Sequence, residues 1–592
     1  MFLPVRLAIV IAAIVFAVSI DAAAAAPPPA EMRQVADRAA IALSQLPIVN
    51  GDVIVRGGNL YQLDSHKEHT AALGYSYLRA EARSSKPSER ARLESAAIKM
   101  VSGAINRYAG APFPPQQIGQ ARQAARLVTN PSSSLRRAVA QWENFLSTWG
   151  PASRPAFSQS PTNCFATDAC YNNWHLMQGL ALADVLSSGL TGAPGSYLAD
   201  RANSRTWVTK MLGERLMAAA GPESDGWSKK ACVLSDPPNN PLAYHVFSTW
   251  LLGELAEQHP DLLTTPLKMT LDCNRNMLSA LTAPDGDVAI AGRSQLQSWT
   301  LAAGILVAAQ AYADDWDPAW AALADRLWSR LNGPLYRDPG GFFAVTPSAR
   351  SHMKAGIDLY ADPAEYNGLT LMLLNMAADR WAKLSPEPAD QIPADRDGGL
   401  TDLAGARVVI RRSGPVWWSW RSSRCSNFPT ADLRCDSGLL QAKVLGPLGW
   451  TDLLMPRSIG KISSCAGPCL KTIAGYQAFR VTDTSGTPQK TVLNGRFGTR
   501  LTDITIDSNS NGITISWPSQ AGDTFSGLWP LVSAQAGTSQ LTSNQSVITM
   551  SPDATLRKAE SGPGAGSVDT KLYGWSINTT SQSTITISLG VG

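Results

Sequence analysis

The sequence predicts a multidomain chain, α then β: an incomplete α/α toroid followed by an antiparallel β-sandwich. Three observations carry this. Residues 27–388 read as one helix after another, with Ala, Leu, Arg and Gln recurring and few β-branched runs. The stretch from Pro386 to Gly399 turns to Pro, Asp and Gly, which places a linker at residues 389–400. Residues 401–592 break into short alternating runs separated by polar turns, the pattern of an antiparallel sandwich. At 592 residues the chain is also too long for a single core, since domains mostly run about 100–200 residues.

Predicted helices span Pro29–Ser44, His69–Ser84, Ser88–Ala109, Gln117–Val128, Ser133–Thr148, Asn173–Ser188, Pro241–Gln258, Gln295–Ala313, Pro318–Leu331 and Tyr366–Lys383. Phe247, Leu251 and Leu255 lie four residues apart, as the apolar stripe of a half-buried helix requires. Paired helices of this length suit a toroid. An open solenoid is the main rival, but no fixed repeat period is present. Predicted strands cover Arg407–Arg411, Val416–Arg421, Leu501–Ile506, Gly512–Trp517, Ser546–Met550 and Ser583–Leu589, with a hairpin turn across Asp507–Gly512.

The first 26 residues read as a secretory signal. Arg6 precedes an apolar run from Leu7 to Ile20, and the small residues Ala22–Ala26 lead into Pro27–Pro29. The run is shorter than the ~20 residues that span a bilayer. A secreted or periplasmic protein is expected, with no membrane association after cleavage. The eight cysteines fall as Cys164 and Cys170, Cys232 and Cys273, Cys425 and Cys435, Cys465 and Cys469. Their even number and close spacing suggest disulfides formed in an oxidising compartment. A zinc ribbon is a weaker reading, because Cys465 and Cys469 lack a second close pair placed to complete one. A formal net charge of +4 over this length argues against a nucleic-acid partner, while leaving room for a local basic groove. A monomer is expected.

Four unusual segments sit where loops enter helices. The first is Tyr171-Asn172-Asn173-Trp174-His175, where Asn suits a helix cap and Trp offers a flat face for a sugar ring. The second joins Asp225-Gly226-Trp227 to Pro241-Leu242-Ala243-Tyr244-His245; a tyrosine near positive charge can accept and donate a proton. The third runs from Pro284-Asp285-Gly286-Asp287 to Gly292-Arg293-Ser294-Gln295, and its arginine can grip a carboxylate with two hydrogen bonds. The fourth holds Asp358-Leu359-Tyr360 and Tyr366-Asn367-Gly368. No strong metal-ligand cluster is evident, and no metal or cofactor is expected. His66, Glu68 and His69 read as a solvated helix start.

Asn172-Asn173-Trp174-His175, followed by Leu242-Ala243-Tyr244-His245, resembles the alginate lyases built on an α/α toroid. Those carry an Asn-Asn-His segment and later Ala-Tyr-His with a preceding Arg. The helical-then-β layout resembles the hyaluronate and chondroitin lyases and the heparinase II/III-like lyases. Gly292-Arg293-Ser294 is similar to an Arg-bearing segment of the hyaluronate lyases. Two departures stand out. Trp174 occupies the alginate-lyase His position, so His175 comes one residue late, a turn of about 100° on a helix. Pro237 stands in place of the preceding Arg, leaving Lys229, Lys230 or Arg293 to supply its charge.

The resemblance implies β-elimination on an acidic, uronate-containing polysaccharide. It assigns catalysis to Asn173, His175, Tyr244 and Arg293. Substrate contacts fall to Asn172, Trp174, Trp227, His245, Gln295, Tyr360, Tyr366 and Asn367. His175 or His245 offers a separate base. Two alternatives stand beside it. A glycoside hydrolase needs two flanking carboxyl groups, available among Asp225, Asp285, Asp287, Asp358 and Glu365. A non-catalytic carbohydrate binder would use some of the 18 tryptophans for stacking.

Overall fold

The computed structural model describes residues 26–49, 52–53, 69–108, 113–150, 172–212, 232–234, 242–347, 363–387, 391–403, 405–423, 436–454, 467–532, 534–537, 539–543, 545–552, 554–558 and 570–592. Within them lie twelve α-helices. They are α1 Pro29–Ser44, α2 Thr70–Arg83, α3 Pro87–Asn106, α4 Phe113–Ala125, α5 Ser133–Thr148, α6 Asn172–Leu186, α7 Arg201–Met211, α8 Leu242–Gln258, α9 Thr265–Leu281, α10 Ser298–Asp315, α11 Pro318–Leu331 and α12 Pro363–Trp381.

Two kinds of helix alternate. In α1, burial falls on Met32, Val35, Ala36, Ala39, Ala40 and Leu43, and in α5 on Leu135, Ala138, Trp142 and Leu146. That spacing marks one buried stripe on an otherwise wet helix. In contrast, α10 is buried without a break from Ser298 to Tyr312, and α12 from Pro363 to Ala378. A helix that is apolar all round needs neighbours all round. The stripe at Phe247, Leu251 and Leu255 belongs to this second kind: α8 is buried on its other faces too, at Ser248, Thr249, Trp250 and Gly253, so it is not half-buried.

The wholly buried helices form the inner wall of a barrel. Contacts run α2 to α4, α6, α8, α10 and α12, and α12 packs back on α2. The toroid is therefore a closed ring of six helix pairs among the described residues, and not the incomplete one expected. At the closure Gly368 of α12 lies so near α2 that an added Cβ would meet Leu73 at 2.9 Å. The striped helices sit outside: α1 on α2 and α12, α3 on α2, α5 on α4, α7 on α6, α9 on α8 and α11 on α10. Pairs such as Arg79–Asp379 (2.6 Å), Arg380–Glu254 (2.9 Å) and His259–Asp184 (2.9 Å) tie the C-terminal ends of the inner helices.

A disulfide joins Cys232, ahead of α8, to Cys273 in α9, with the Cα atoms 5.2 Å apart. Cys469 is also disulfide-bonded. Cys164, Cys170, Cys425, Cys435 and Cys465 lie outside the described residues. No helix among the described residues is long and apolar enough to cross a membrane.

Strands β1 Ile48–Val49 and β2 Asp52–Val53 make a small hairpin. Strands β3 Gly398–Asp402, β4 Val408–Ser413, β5 Val416–Arg421, β6 Gly438–Gly446 and β7 Gly449–Asp452 then form an antiparallel meander. Strand side chains alternate between faces, and here both faces are covered. Val408, Ile410, Trp417 and Leu440 join the barrel core, while Val409, Val416, Trp418, Trp420 and Ala442 join a second core. A register shift opposite Ser419 and Trp420 inserts one residue into β6. That extra residue lets Leu439 and Ala442 share a face despite their odd spacing. The segment read as a linker is packed: Pro393–Asp395 makes a 3-10 turn, Ile392 and Ala394 enter the barrel core, and β3 starts at Gly398.

The remaining strands are β8 Cys469–Thr472, β9 Gly475–Gly486, β10 Lys490–Phe497, β11 Arg500–Asn509, β12 Gly512–Ser519, β13 Thr524–Val532, β14 Gln535–Ala536, β15 Gln540–Thr542, β16 Ser546–Ser551, β17 Thr555–Lys558, β18 Thr570–Asn578 and β19 Ser583–Val591. They form one twelve-stranded antiparallel sheet in the order β14-β15-β16-β19-β12-β11-β10-β9-β8-β13-β18-β17. The sheet curls on itself. Phe525 of β13 meets Trp517 of β12 at 5.5 Å and Phe497 of β10 at 5.4 Å, although these strands are not neighbours. The layers are thus a five-stranded sheet against a strongly curled larger one, in place of two matched sheets.

Candidate active site

The N-terminal ends of the six inner helices meet at one rim, and each brings an aromatic ring. Trp174 (α6) contacts Phe113 (α4) at 5.9 Å, and Phe113 contacts His69, at the start of α2, at 4.8 Å. His69 contacts Tyr366 (α12) at 5.9 Å, Tyr366 contacts Trp299 (α10) at 6.4 Å, and Trp299 contacts Tyr244 (α8) at 6.0 Å. Phe247, one turn into α8, touches Phe113, His69 and Trp299 and floors the ring. Of this set only Trp174 and Tyr244 are half-exposed; the others are buried. They belong to adjacent helices, so the accessible side of the hollow lies between α6 and α8. Six helix N-termini also bring six positive dipole ends to this rim.

Arg293 reaches the same place from the loop between α9 and α10. Its guanidinium carbon lies 4.5 Å from the centre of the Tyr244 ring, within cation–π range. The Ser294 hydroxyl lies 3.5 Å from the Tyr244 hydroxyl. The loop is strained: Ala289, Ser294 and Leu296 have φ of 56°, 59° and 53°, and left-handed backbone costs a non-glycine residue about 1–2 kcal/mol. Hydrogen bonds hold it, from the Leu296 amide to the Ala289 carbonyl (3.2 Å), from the Leu242 amide of α8 to the Ala291 carbonyl (3.2 Å) and from the Tyr336 hydroxyl to the Leu296 carbonyl (2.9 Å). The result is a half-buried phenol flanked by a guanidinium at the lip of an aromatic hollow. Such a pair can bind a carboxylate and move a proton beside it.

Asn173 stands on the first turn of α6 and is 2% exposed. Its Oδ1 accepts the Trp174 amide at 2.9 Å, leaving Nδ2 as the donor of this side chain. His175 is half-buried on the same turn. Gln295 is buried beside Ser294.

Other expected contacts lie elsewhere. His245 follows Tyr244 by about 100° on the helix and faces the wall, only 1% exposed. Its Nδ1 accepts from the Leu234 amide at 3.1 Å, and burial lowers its pKa to about 4. Asn367 is 0% exposed and bonds the Phe343 amide (2.9 Å), the Phe343 carbonyl (2.9 Å) and the Pro363 carbonyl (2.8 Å). It is a strap between segments and not a substrate contact. Tyr366 is buried within the aromatic ring. Trp227, Tyr360 and the side chain of Asn172 lie outside the described residues.

His69 corrects another expectation, because it is buried and not solvated; His66 and Glu68 lie outside the described residues. Its Nδ1 lies 2.7 Å from Gln117 Nε2, and its backbone amide donates to Glu365 Oε1 at 2.7 Å. Burial lowers its pKa to about 3. Nothing in the local sequence signals this position, because the ring exists only once six distant helix starts meet.

The carboxylates offered for hydrolysis are engaged in structure. Asp285 and Asp287 converge with Asp452 on Lys443 Nζ, at 2.7, 2.9 and 2.5 Å. Arg330 pairs with Asp285 (3.3 Å) and Asp287 (2.7 Å). Burial by itself would raise the Asp287 carboxyl, but the Arg330 and Lys443 charges outweigh it and hold it at about 2. The three carboxylates could in principle ligate a cation, yet the lysine ammonium already sits among them. Glu365 is buried against His69. Asp225 and Asp358 lie outside the described residues.

No protein-family model matches this chain, and no curated protein matches it. Some solved structures align with it at low similarity. A chondroitin AC lyase from Streptomyces coelicolor A3, in complex with chondroitin sulphate, is 11% identical, with 97% of this chain and 81% of that chain covered and a TM-score of 0.49. A chondroitinase AC lyase solved with oligosaccharides is 10% identical, with 96% and 81% covered and a TM-score of 0.46. A family 88 glycosyl hydrolase from Bacteroides vulgatus is 9% identical, with 60% and 99% covered and a TM-score of 0.37. Likenesses this distant assign no reaction and no substrate.

Proposed function

We propose that this chain is a polysaccharide lyase that cleaves a uronate-containing polymer by β-elimination, acting outside the cytoplasm. The observation that carries the reading is the placement of the Tyr244 hydroxyl at the barrel mouth with Arg293 over its ring. In this reading Arg293 and the Asn173 Nδ2 hold the uronate carboxylate at the +1 sugar. Drawing charge from that group lets it accept electron density as the C5 proton leaves, and donors aimed at developing charge are often the largest catalytic term. Tyr244, as its phenolate beside the Arg293 guanidinium, takes the C5 proton and becomes the phenol. The C5–H electron pair becomes the C4–C5 double bond, the C4–O bond breaks, and the departing oxygen takes a proton from Tyr244. Trp174 supplies a stacking face, and His175 beside it a hydrogen-bonding group. His245 takes no part.

The test is a panel of alginate, hyaluronan, chondroitin, heparan and glucuronan. Cleavage should raise the ultraviolet absorbance of an unsaturated uronate in step with new chain ends. New reducing ends without that absorbance would overturn the lyase reading in favour of hydrolysis, and silence on every acidic polymer would remove the enzymatic reading.

A further inference from the structure

The loop that carries Arg293 is gripped from outside the barrel. Its first residues, Asp285 and Asp287, turn toward the five-stranded sheet, where Lys443 of β6 lies 2.7 and 2.9 Å from their carboxylates. Gln441, two residues earlier on β6, donates to Asp287 at 3.0 Å. Arg330 of α11 closes the cluster from the barrel side, and Asp452 of β7 from the sheet side. The Lys443 side chain is 0% exposed. Lysine is almost never fully buried unless paired. For adhesion alone, apolar contacts would serve, since a buried ion pair is often no more stabilising than a hydrophobic replacement. What converging charges add is a fixed geometry at one point. That point is the root of a loop whose left-handed residues Ala289, Ser294 and Leu296 must all be maintained to deliver Arg293.

We infer that Lys443 is a positioning residue for the candidate active site. It anchors the Asp285–Asp287 arm so that the strained loop sets Arg293 over Tyr244, which makes the β half a working part of the site and not only a neighbour. The kinetic consequence rests on the lyase reading; the geometric consequence does not.

The test therefore has two readouts on the full mature chain. Fluorotyrosine labelling gives one fluorine resonance for each of the 13 tyrosines, and loss in Tyr244→Phe assigns that of Tyr244. Arg293→Ala should shift it. Lys443→Met, with the fold verified by circular dichroism, should shift it in the same direction, and Lys443→Arg should return it most of the way. On a cleaved polymer, Lys443→Met should lower kcat about 10- to 100-fold, the scale of a catalytic group misplaced by about 1 Å. KM should change far less, and the Lys443→Met, Arg293→Ala double variant should be no slower than Arg293→Ala alone. A Tyr244 resonance unmoved in folded Lys443→Met overturns the inference. If Lys443→Met does not fold, Gln441→Leu decides in its place: a shift in the same direction supports the inference and an unmoved resonance overturns it. A moved resonance on a protein that cleaves no uronate polymer supports positioning and defeats the lyase reading. Cleavage with both readouts unchanged does the reverse.

Discussion

Removing a single oxygen from Tyr244 separates chemistry from packing. In Tyr244→Phe the ring keeps its place against Trp299 and beneath Arg293. The hydroxyl loses a bond to Ser294, at 3.5 Å, beyond the usual 2.5–3.0 Å for O–H···O. A net hydrogen bond contributes about 0.5–1.5 kcal/mol, and one this long belongs at the bottom of that range. With the ring packing kept, the melting temperature should fall by about 5 °C or less. Losing a general acid–base group, by contrast, should slow turnover about 10²–10⁴-fold, or about 3–5 kcal/mol of transition-state stabilisation. The assay is the initial rate of ultraviolet absorbance on the cleaved polymer, with thermal melts of both proteins. The reasoning fails if Tyr244→Phe turns over at the wild-type rate. It fails equally if rate and melting temperature collapse together, because the hydroxyl would then be structural.

Other outcomes follow from the same geometry. Arg293→Lys should recover little of the activity lost in Arg293→Ala, since an ammonium cannot make the paired contacts of a guanidinium; kinetics on one polymer at fixed salt decide it. Asn367→Ala strips partners from the Phe343 amide and carbonyl and the Pro363 carbonyl. It should cost about 2–4 kcal/mol in denaturant unfolding while leaving oligosaccharide affinity of the folded protein unchanged. A loss of affinity with intact stability would return it to the site. Burial holds His69 at about 3 and His245 at about 4, below the ordinary 6.5, so both are neutral when folded. The unfolded chain binds their protons first as pH falls. Stability is thus fully present above about pH 6.5 and declines below it, by about 2 kcal/mol per histidine at pH 5. Unfolding curves at pH 7.5 and 5 check this, and His69→Gln should remove about half of the difference.

Much of the architecture was legible because its signals are local. The ends of α1, α5 and α11 were read without error. Prolines start α1 and α11, Ser132 caps α5 through the Leu135 amide, and Asp317 caps α11 through the Ala319 amide. The hairpin at Asp507–Gly512 was equally plain, and Asn509 pairs with Gly512 across it. Helices α7 and α9 were not named individually within the helical region. Much of α7 is polar and exposed, so Arg201–Met211 shows little of the apolar period that marks a buried stripe. Residue type also misled where orientation mattered: Tyr244 was read as catalytic and His245 beside it as a substrate contact, yet one helical step turns one toward the mouth and the other into the wall.

The sequence by itself determined most of the helices and several of the strands, because caps, prolines and residue periods act within a few residues. It also marked Tyr244 and Arg293 as unusual. Only the tertiary structure closed the ring, collected six aromatic residues at one rim, and turned Asp285 and Asp287 from candidate acids into the seat of a buried lysine. Those outcomes depend on which distant surfaces meet and exclude water, and that is a property of the packed chain that no local stretch of it encodes.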